Sequence, residues 1–138
     1  MKKGIFLLTI TSFCISACSD DSCMPPTGIV DNWQLTEVFM DPGDGSGTFQ
    51  PTDQVLVIAF NADGTINATD GVCSLLGSGS ESDALGTYNQ ELSEIYISNC
   101  GDFSGEETLK YELEGNTLIV NRLCRERCAQ RFERIMED

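Results

Sequence analysis

From Ile29 onward, apolar and polar residues alternate with period two. The runs are short, rich in β-formers, and broken at brief intervals by Gly, Asn, Asp and Ser. The pattern predicts eight strands: 32–40 (NWQLTEVFM), 54–60 (QVLVIAF), 65–72 (TINATDGV), 85–90 (LGTYNQ), 94–100 (EIYISNC), 107–113 (ETLKYEL), 117–123 (TLIVNRL) and 129–136 (AQRFERIM). No window carries a convincing amphipathic helical repeat. Eight short strands at this spacing predict an all-β domain, an up-and-down barrel or a sandwich.

The connections alternate in length. Strands 2–3, 4–5 and 6–7 are joined tightly, through Asn61-Ala62-Asp63-Gly64, Glu91-Leu92-Ser93 and Glu114-Gly115-Asn116. These are hairpin-sized, and two of them offer Gly and Asn where φ must be positive. Strands 1–2 and 3–4 have long polar loops, 41–53 and 73–84, and strands 5–6 a medium one, 101–106. In an up-and-down meander all odd strands end at the same place. The long loops therefore share one end of the barrel, and the tight turns share the end where the chain enters.

That geometry sorts the cysteines. Cys73, Cys100 and Cys124 fall at or just past the ends of strands 3, 5 and 7, and Cys128 precedes strand 8, so all four gather at the looped end. Of the three connectivities open to four cysteines, Cys73–Cys100 and Cys124–Cys128 fit the strand ends best. Cys23 is left over, in the segment leading into the barrel.

The first 18 residues follow a different pattern. Lys2 and Lys3 precede a mostly apolar run, Gly4 to Ile15, too short to cross a bilayer. It closes on Ile15-Ser16-Ala17-Cys18, which resembles a bacterial lipobox. The resemblance implies a signal peptide over 1–17, cleavage before Cys18, and lipid on the Cys18 thiol, including palmitate. Several buried acyl chains make a strong anchor. Residues 18–28, with Pro25-Pro26, then read as a tether, and 29–138 as one domain. Ser19 stands where an aspartate would favour inner-membrane retention, so the expected location is the outer membrane. Ser19-Asp20-Asp21 also resembles the acidic export signals of surface-exposed lipoproteins in one group of Gram-negative bacteria.

Charge narrows the function classes. Removal of Lys2 and Lys3 leaves 6 basic against 22 acidic residues, a net charge of −16. No Lys or Arg occurs between Cys18 and Leu109; Lys110, Arg122, Arg125, Arg127, Arg131 and Arg134 all lie in the last quarter. Such a body repels nucleic acid and anionic membrane surfaces. The chain has no histidine, the commonest general base and metal ligand. With no nucleophile elbow, phosphate loop or Cys-x₂-Cys pair, it is not expected to be an enzyme or to carry a cofactor. The cysteines suit disulfides better than zinc, and the Asp41–Gly45 and Asn61–Gly64 stretches do not fit an EF-hand.

Asp31-Asn32-Trp33-Gln34-Leu35, Phe60–Thr65, Tyr111–Leu118 and the closing Arg131-Phe132-Glu133-Arg134-Ile135 resemble, in order and spacing, the lipocalin-like domains of small bacterial lipoproteins. The lipocalin opening motif has a glycine two residues before the tryptophan, where this chain has Asp31. The resemblance implies an eight-stranded antiparallel up-and-down barrel. It also implies a basic residue of the last strand packed over Trp33. Phe132 and Arg134 share a face, so Arg134 is the candidate; the alternative is Trp33 as a plain core anchor and Arg134 in solvent.

Barrels of this size are filled by side chains or hold one small ligand. Two functions follow. The first is a lipid-anchored envelope module binding a small hydrophobic or amphipathic ligand at the looped end. The second is a filled-core lipoprotein presenting acidic loops to a protein or glycan partner.

Overall fold

The structure, a computed structural model, describes residues 28–77, 84–100 and 103–136. The expected signal segment and nearly all of the expected tether, with Cys18 and Cys23, lie outside the described residues.

Among the described residues nine strands form one antiparallel sheet: β1 (Asp31–Met40), β2 (Thr48–Pro51), β3 (Val57–Phe60), β4 (Thr65–Ala68), β5 (Leu85–Asn89), β6 (Glu94–Cys100), β7 (Phe103–Glu114), β8 (Thr117–Asn121) and β9 (Cys128–Arg134). Successive strands from β3 to β9 pair with their neighbours, and β1 pairs with both β3 and β9. This closes an eight-stranded up-and-down barrel. β2 stands outside the ring, extending the sheet beside the second half of β1.

Alternation decides what the barrel encloses. Trp33 and Leu35, Leu56, Ile58 and Phe60, Ile66, Ile95 and Ile97, Leu109 and Tyr111, Leu118 and Val120, and Phe132 share one core. Their intervening neighbours, such as Glu94, Lys110, Glu112 and Glu133, point away from it. Burying each large apolar side chain contributes about 1.5–3 kcal/mol, so this one interior stack is the main source of stability.

Three departures from the sequence pattern matter. The first is a β-bulge in β1: the register with β9 shifts between Leu35 and Glu37. Strict alternation after Trp33 and Leu35 would place Phe39 inside. The bulge reverses the phase, so Val38 packs against the core and Phe39 does not belong to it.

The second is β2, in what the sequence presents as a polar loop. It pairs Phe49 with Phe39 and Gln50 with Val38. The Thr52 N–H donates to the Thr36 carbonyl, 3.2 Å, which sets the hydrogen-bonding phase. The backbone groups of Phe49 and Pro51 therefore face the open edge, and Pro51 has no N–H to offer there. A proline blunts this edge against pairing with another strand.

The third lies after β4, which stops at Ala68 and not at Val72. Asp70-Gly71 makes a turn, with Gly71 at φ 76° and its N–H bonded to the Ala68 carbonyl at 3.1 Å. The chain then folds inward as a 3₁₀ helix, Val72–Leu76, whose Val72, Cys73, Ser74 and Leu75 are buried. Val72, Cys73 and Leu75 belong to the main core. Gly86 on β5 makes room for the helix: a Cβ there would sit 2.9 Å from the Val72 side chain. The β4–β5 seam has only two paired positions, Thr65↔Thr87 and Ile66↔Gly86, and the helix packs where β4 has run out.

The β6–β7 connection is also shorter than expected, because Cys100 already pairs with Phe103. The tight turns sit where the pattern put them. Asp63 shapes the first, accepting from the Thr65 N–H at 3.0 Å and from the Thr65 hydroxyl at 2.6 Å. These bonds hold the Asp63 carboxyl below its ordinary pKa.

Candidate functional site

At the end where the chain enters, the indole N–H of Trp33 donates to the Ile29 carbonyl, 2.9 Å. Arg134, from the last strand, lies with its guanidinium carbon 4.3 Å from the Trp33 ring centroid. Its Nη1 donates to Asp31 Oδ2 at 2.7 Å and its Nη2 to the Gly28 carbonyl at 2.8 Å. The Arg134 side chain is fully buried while Asp31 remains partly exposed. A desolvated guanidinium needs such a set of acceptors. Trp33 and Arg134 thus join the first and last strands and shut this end of the barrel. The Phe60 ring is packed edge-on against Tyr88 nearby, with centroids 5.1 Å apart.

The looped end is shut by the 3₁₀ helix. Cys73, within it, is bonded to Cys100 at the end of β6, with Cα atoms 5.5 Å apart. The half-cystines are 0% and 1% exposed, so the bridge is part of the core and fastens the helix into the mouth. The second disulfide, Cys124–Cys128, is local and closes the turn between β8 and β9, with Cα atoms 6.0 Å apart.

Behind that turn, the bulge in β1 has built a second, outward-facing cluster. Phe39 and Phe49 meet edge-on at 5.2 Å between centroids. The Arg127 guanidinium lies over Phe39 at 5.1 Å and that of Arg131 over Phe49 at 3.7 Å. Arg131 is also paired with Glu37. A concavity of about 150 Å³ opens beside this cluster, lined by Met40, Asp41, Cys124, Glu126, Arg127 and Cys128. A shallower one, of about 290 Å³, lies on the outer wall between Asn32, Val57 and Asn67.

The carboxylates of the β1–β2 loop are turned to local use. Asp41 Oδ1 accepts from the N–H groups of Gly43 and Gly45, at 2.8 and 3.1 Å. Asp44 Oδ1 accepts from the Ser46 N–H at 2.9 Å and the Ser46 hydroxyl at 2.5 Å, which keeps its pKa below the ordinary value. These are turn-forming bonds that fix loop shape.

Two polar side chains face inward near the looped end. Gln130 is 2% exposed, and its register partners are Val38 and Val120. Arg122 follows β8 and rests against Gly77, the residue that closes the 3₁₀ helix. Burial lowers the Arg122 pKa from its ordinary value.

Comparison with protein-family models, with curated proteins and with solved structures returns no match.

Of the residues singled out in the sequence, Trp33 and Arg134 meet at one end, and Cys73, Cys100, Cys124 and Cys128 form their two bridges at the other. Cys18, the expected lipid site, lies outside the described residues. The outward cluster of Phe39, Phe49, Arg127 and Arg131 was not foreseeable from alternation, because a single bulge residue creates it. Its one visible signal was the arginine-rich C-terminal quarter.

Proposed function

We propose that the chain is a lipid-anchored envelope protein that acts through its outer surface and carries no ligand inside its barrel. The observation that supports this reading is the closure of the looped end. Val72, Cys73 and Leu75 of the 3₁₀ helix occupy the mouth as core residues, behind a buried disulfide. A hydrophobic ligand entering there would have to expel packed side chains and pull against that covalent staple. Of the two functions read from the sequence, the filled-core lipoprotein is therefore preferred to the ligand carrier. The lipobox resemblance supports the anchor at Cys18 and, with Ser19, the outer membrane.

The barrel's entry end, clasped by Trp33 and Arg134, then faces the lipid, and the looped end faces away. The surface offered there is mixed. It has exposed Met40 and Leu123, at 72% and 59%, and the arginines of the disulfide-closed turn. Exposed apolar side chains grouped with arginine suit a partner-binding face.

Two measurements test the reading. Cys18→Ala is expected to move the protein from the membrane pellet to the soluble fraction. The lipid-anchored parent, titrated with the apolar fluorophore N-phenyl-1-naphthylamine above its detergent background, is expected to show no saturable one-site binding. Retention of the alanine variant in the membrane would sink the anchor. Stoichiometric fluorophore uptake would sink the filled barrel.

A further inference from the structure

The two disulfides stand in opposite surroundings. Cys73 and Cys100 are part of the core, and a thiol reaches them only when the fold opens. Cys124 is exposed and Cys128 buried, and both line the open concavity of about 150 Å³ beside the β8–β9 turn. Thiol–disulfide exchange needs direct approach to a sulfur, so an exposed bridge is the labile one.

The bridges also differ in what depends on them. Cys73–Cys100 spans 27 residues and fastens the 3₁₀ helix, whereas Cys124–Cys128 spans 4 within one connection. A shorter ring contributes less to stability. The ends of that connection are held without it: β8 is paired with β9 from Thr117 to Asn121, and the Arg122 N–H donates to the Cys128 carbonyl at 3.0 Å. Opening the bridge therefore leaves the barrel closed. It releases the turn itself, whose remaining ties are the Asp41 N–H on the Arg127 carbonyl, 3.2 Å, and the Arg127 guanidinium over Phe39.

We propose that Cys124–Cys128 is a reversible redox site, opened by a thiol reductant and reclosed by a disulfide oxidant while the barrel stays folded. A thiolate of the reductant attacks Cys124 Sγ, on the exposed half-cystine, and the S–S bond breaks with its electron pair on Cys128 Sγ. A second reductant thiolate attacks the reductant's own sulfur in the mixed disulfide and releases Cys124 as thiolate. The two protein sulfurs have then gained two electrons and take up two protons, and the reductant leaves as its disulfide. Asp41 and Glu126 line the concavity against Arg127, so the local charge is mixed and the reagent is chosen by its sulfur, not by its charge. The turn lies on the surface-acting face proposed above; resting on that reading, the state of this bridge regulates the face by fixing or releasing Arg127.

The test uses the full chain with Cys23→Ser, so that Cys23 takes no part. The folded protein is incubated with dithiothreitol at neutral pH without denaturant, and thiols are trapped with N-ethylmaleimide for peptide mapping. Cys124 and Cys128 are expected to be labelled at least a hundredfold faster than Cys73 and Cys100, with the far-ultraviolet circular dichroism unchanged. Glutathione disulfide is expected to cap Cys124 in Cys128→Ser at least tenfold faster than Cys128 in Cys124→Ser. On reduction the Asp41 amide is expected to exchange with deuterium at least fivefold faster, while Val120 and Gln130, paired in the β8–β9 ladder, exchange as before. The redox site is overturned if the bridge stays shut, if both bridges open together or only as β-structure is lost, or if Cys128 is capped as fast as Cys124. An unchanged Asp41 amide overturns the release of the turn. Should a single-cysteine variant fail to fold, the labelling ratio in the Cys23→Ser chain decides. None of these readouts involves the Cys18 anchor or exclusion of the fluorophore, so failure here leaves the surface-acting reading standing.

Discussion

Replacing Cys73 and Cys100 together by alanine is expected to cost about 4–5 kcal/mol of folding stability. The bridge spans 27 residues, and loop-closure entropy for a ring of that size is about 3.6 kcal/mol. Two further effects act in the same direction. Both sulfurs are buried in the core, so their removal leaves a void. The released helix would keep only the packing of its own side chains, since the β4 register with β5 ends at Ile66. Guanidinium denaturation of the oxidised parent and the double variant measures the difference. A loss below about 1 kcal/mol would mean that packing alone holds the helix in the mouth. Cys124→Ala with Cys128→Ala closes a much smaller ring, and loop entropy predicts a smaller cost, about 2 kcal/mol.

Trp33→Ala carries the second large effect, a loss of about 3–5 kcal/mol. Trp33 is fully buried at the junction of β1, β3 and β9. Truncation removes its apolar contacts, leaves the Ile29 carbonyl without its indole donor and strips the ring from beneath Arg134. The last contribution can be isolated. Trp33→Leu and Arg134→Met, combined in a double-mutant cycle, are expected to show a favourable coupling of about 1–2 kcal/mol, because the guanidinium is desolvated against the ring. Additivity within about 0.3 kcal/mol would reduce Trp33 to a simple core anchor. Urea melts of the four proteins give the answer.

The strand order, the tight turns and both disulfides could be read before the structure, because each follows from a short-range rule. Period-two alternation gives the faces, Gly and Asn at hairpin positions give the turns, and strand ends bring Cys73 to Cys100. What escaped depended on partners distant in sequence. The bulge at Thr36 falls where β1 leaves β3 and takes up β2 while staying paired with β9; nothing local at Leu35-Thr36-Glu37 announces it. Strict alternation from Trp33 would therefore put Phe39 in the core, whereas it is the base of the outward cluster. The 3₁₀ helix was hidden differently. Asp70-Gly71 is a turn signal inside what looked like a strand, and Cys73-Ser74-Leu75-Leu76 reads as loop until the barrel supplies an opening to fill. Thr48-Phe49-Gln50 likewise reads as loop among glycines, though its pairing with β1 makes it a strand.

The filled, closed barrel is the claim on which the functional reading depends. Native mass spectrometry of the chain purified from the cells that make it tests it most directly. With the proposed lipid on Cys18, the mass expected is that of the acylated polypeptide less four hydrogens, for two disulfides, and it should be unchanged on denaturation. A discrete excess mass of a few hundred daltons, released when the protein unfolds and present at one copy per chain, would contradict the account and return the barrel to the ligand carriers.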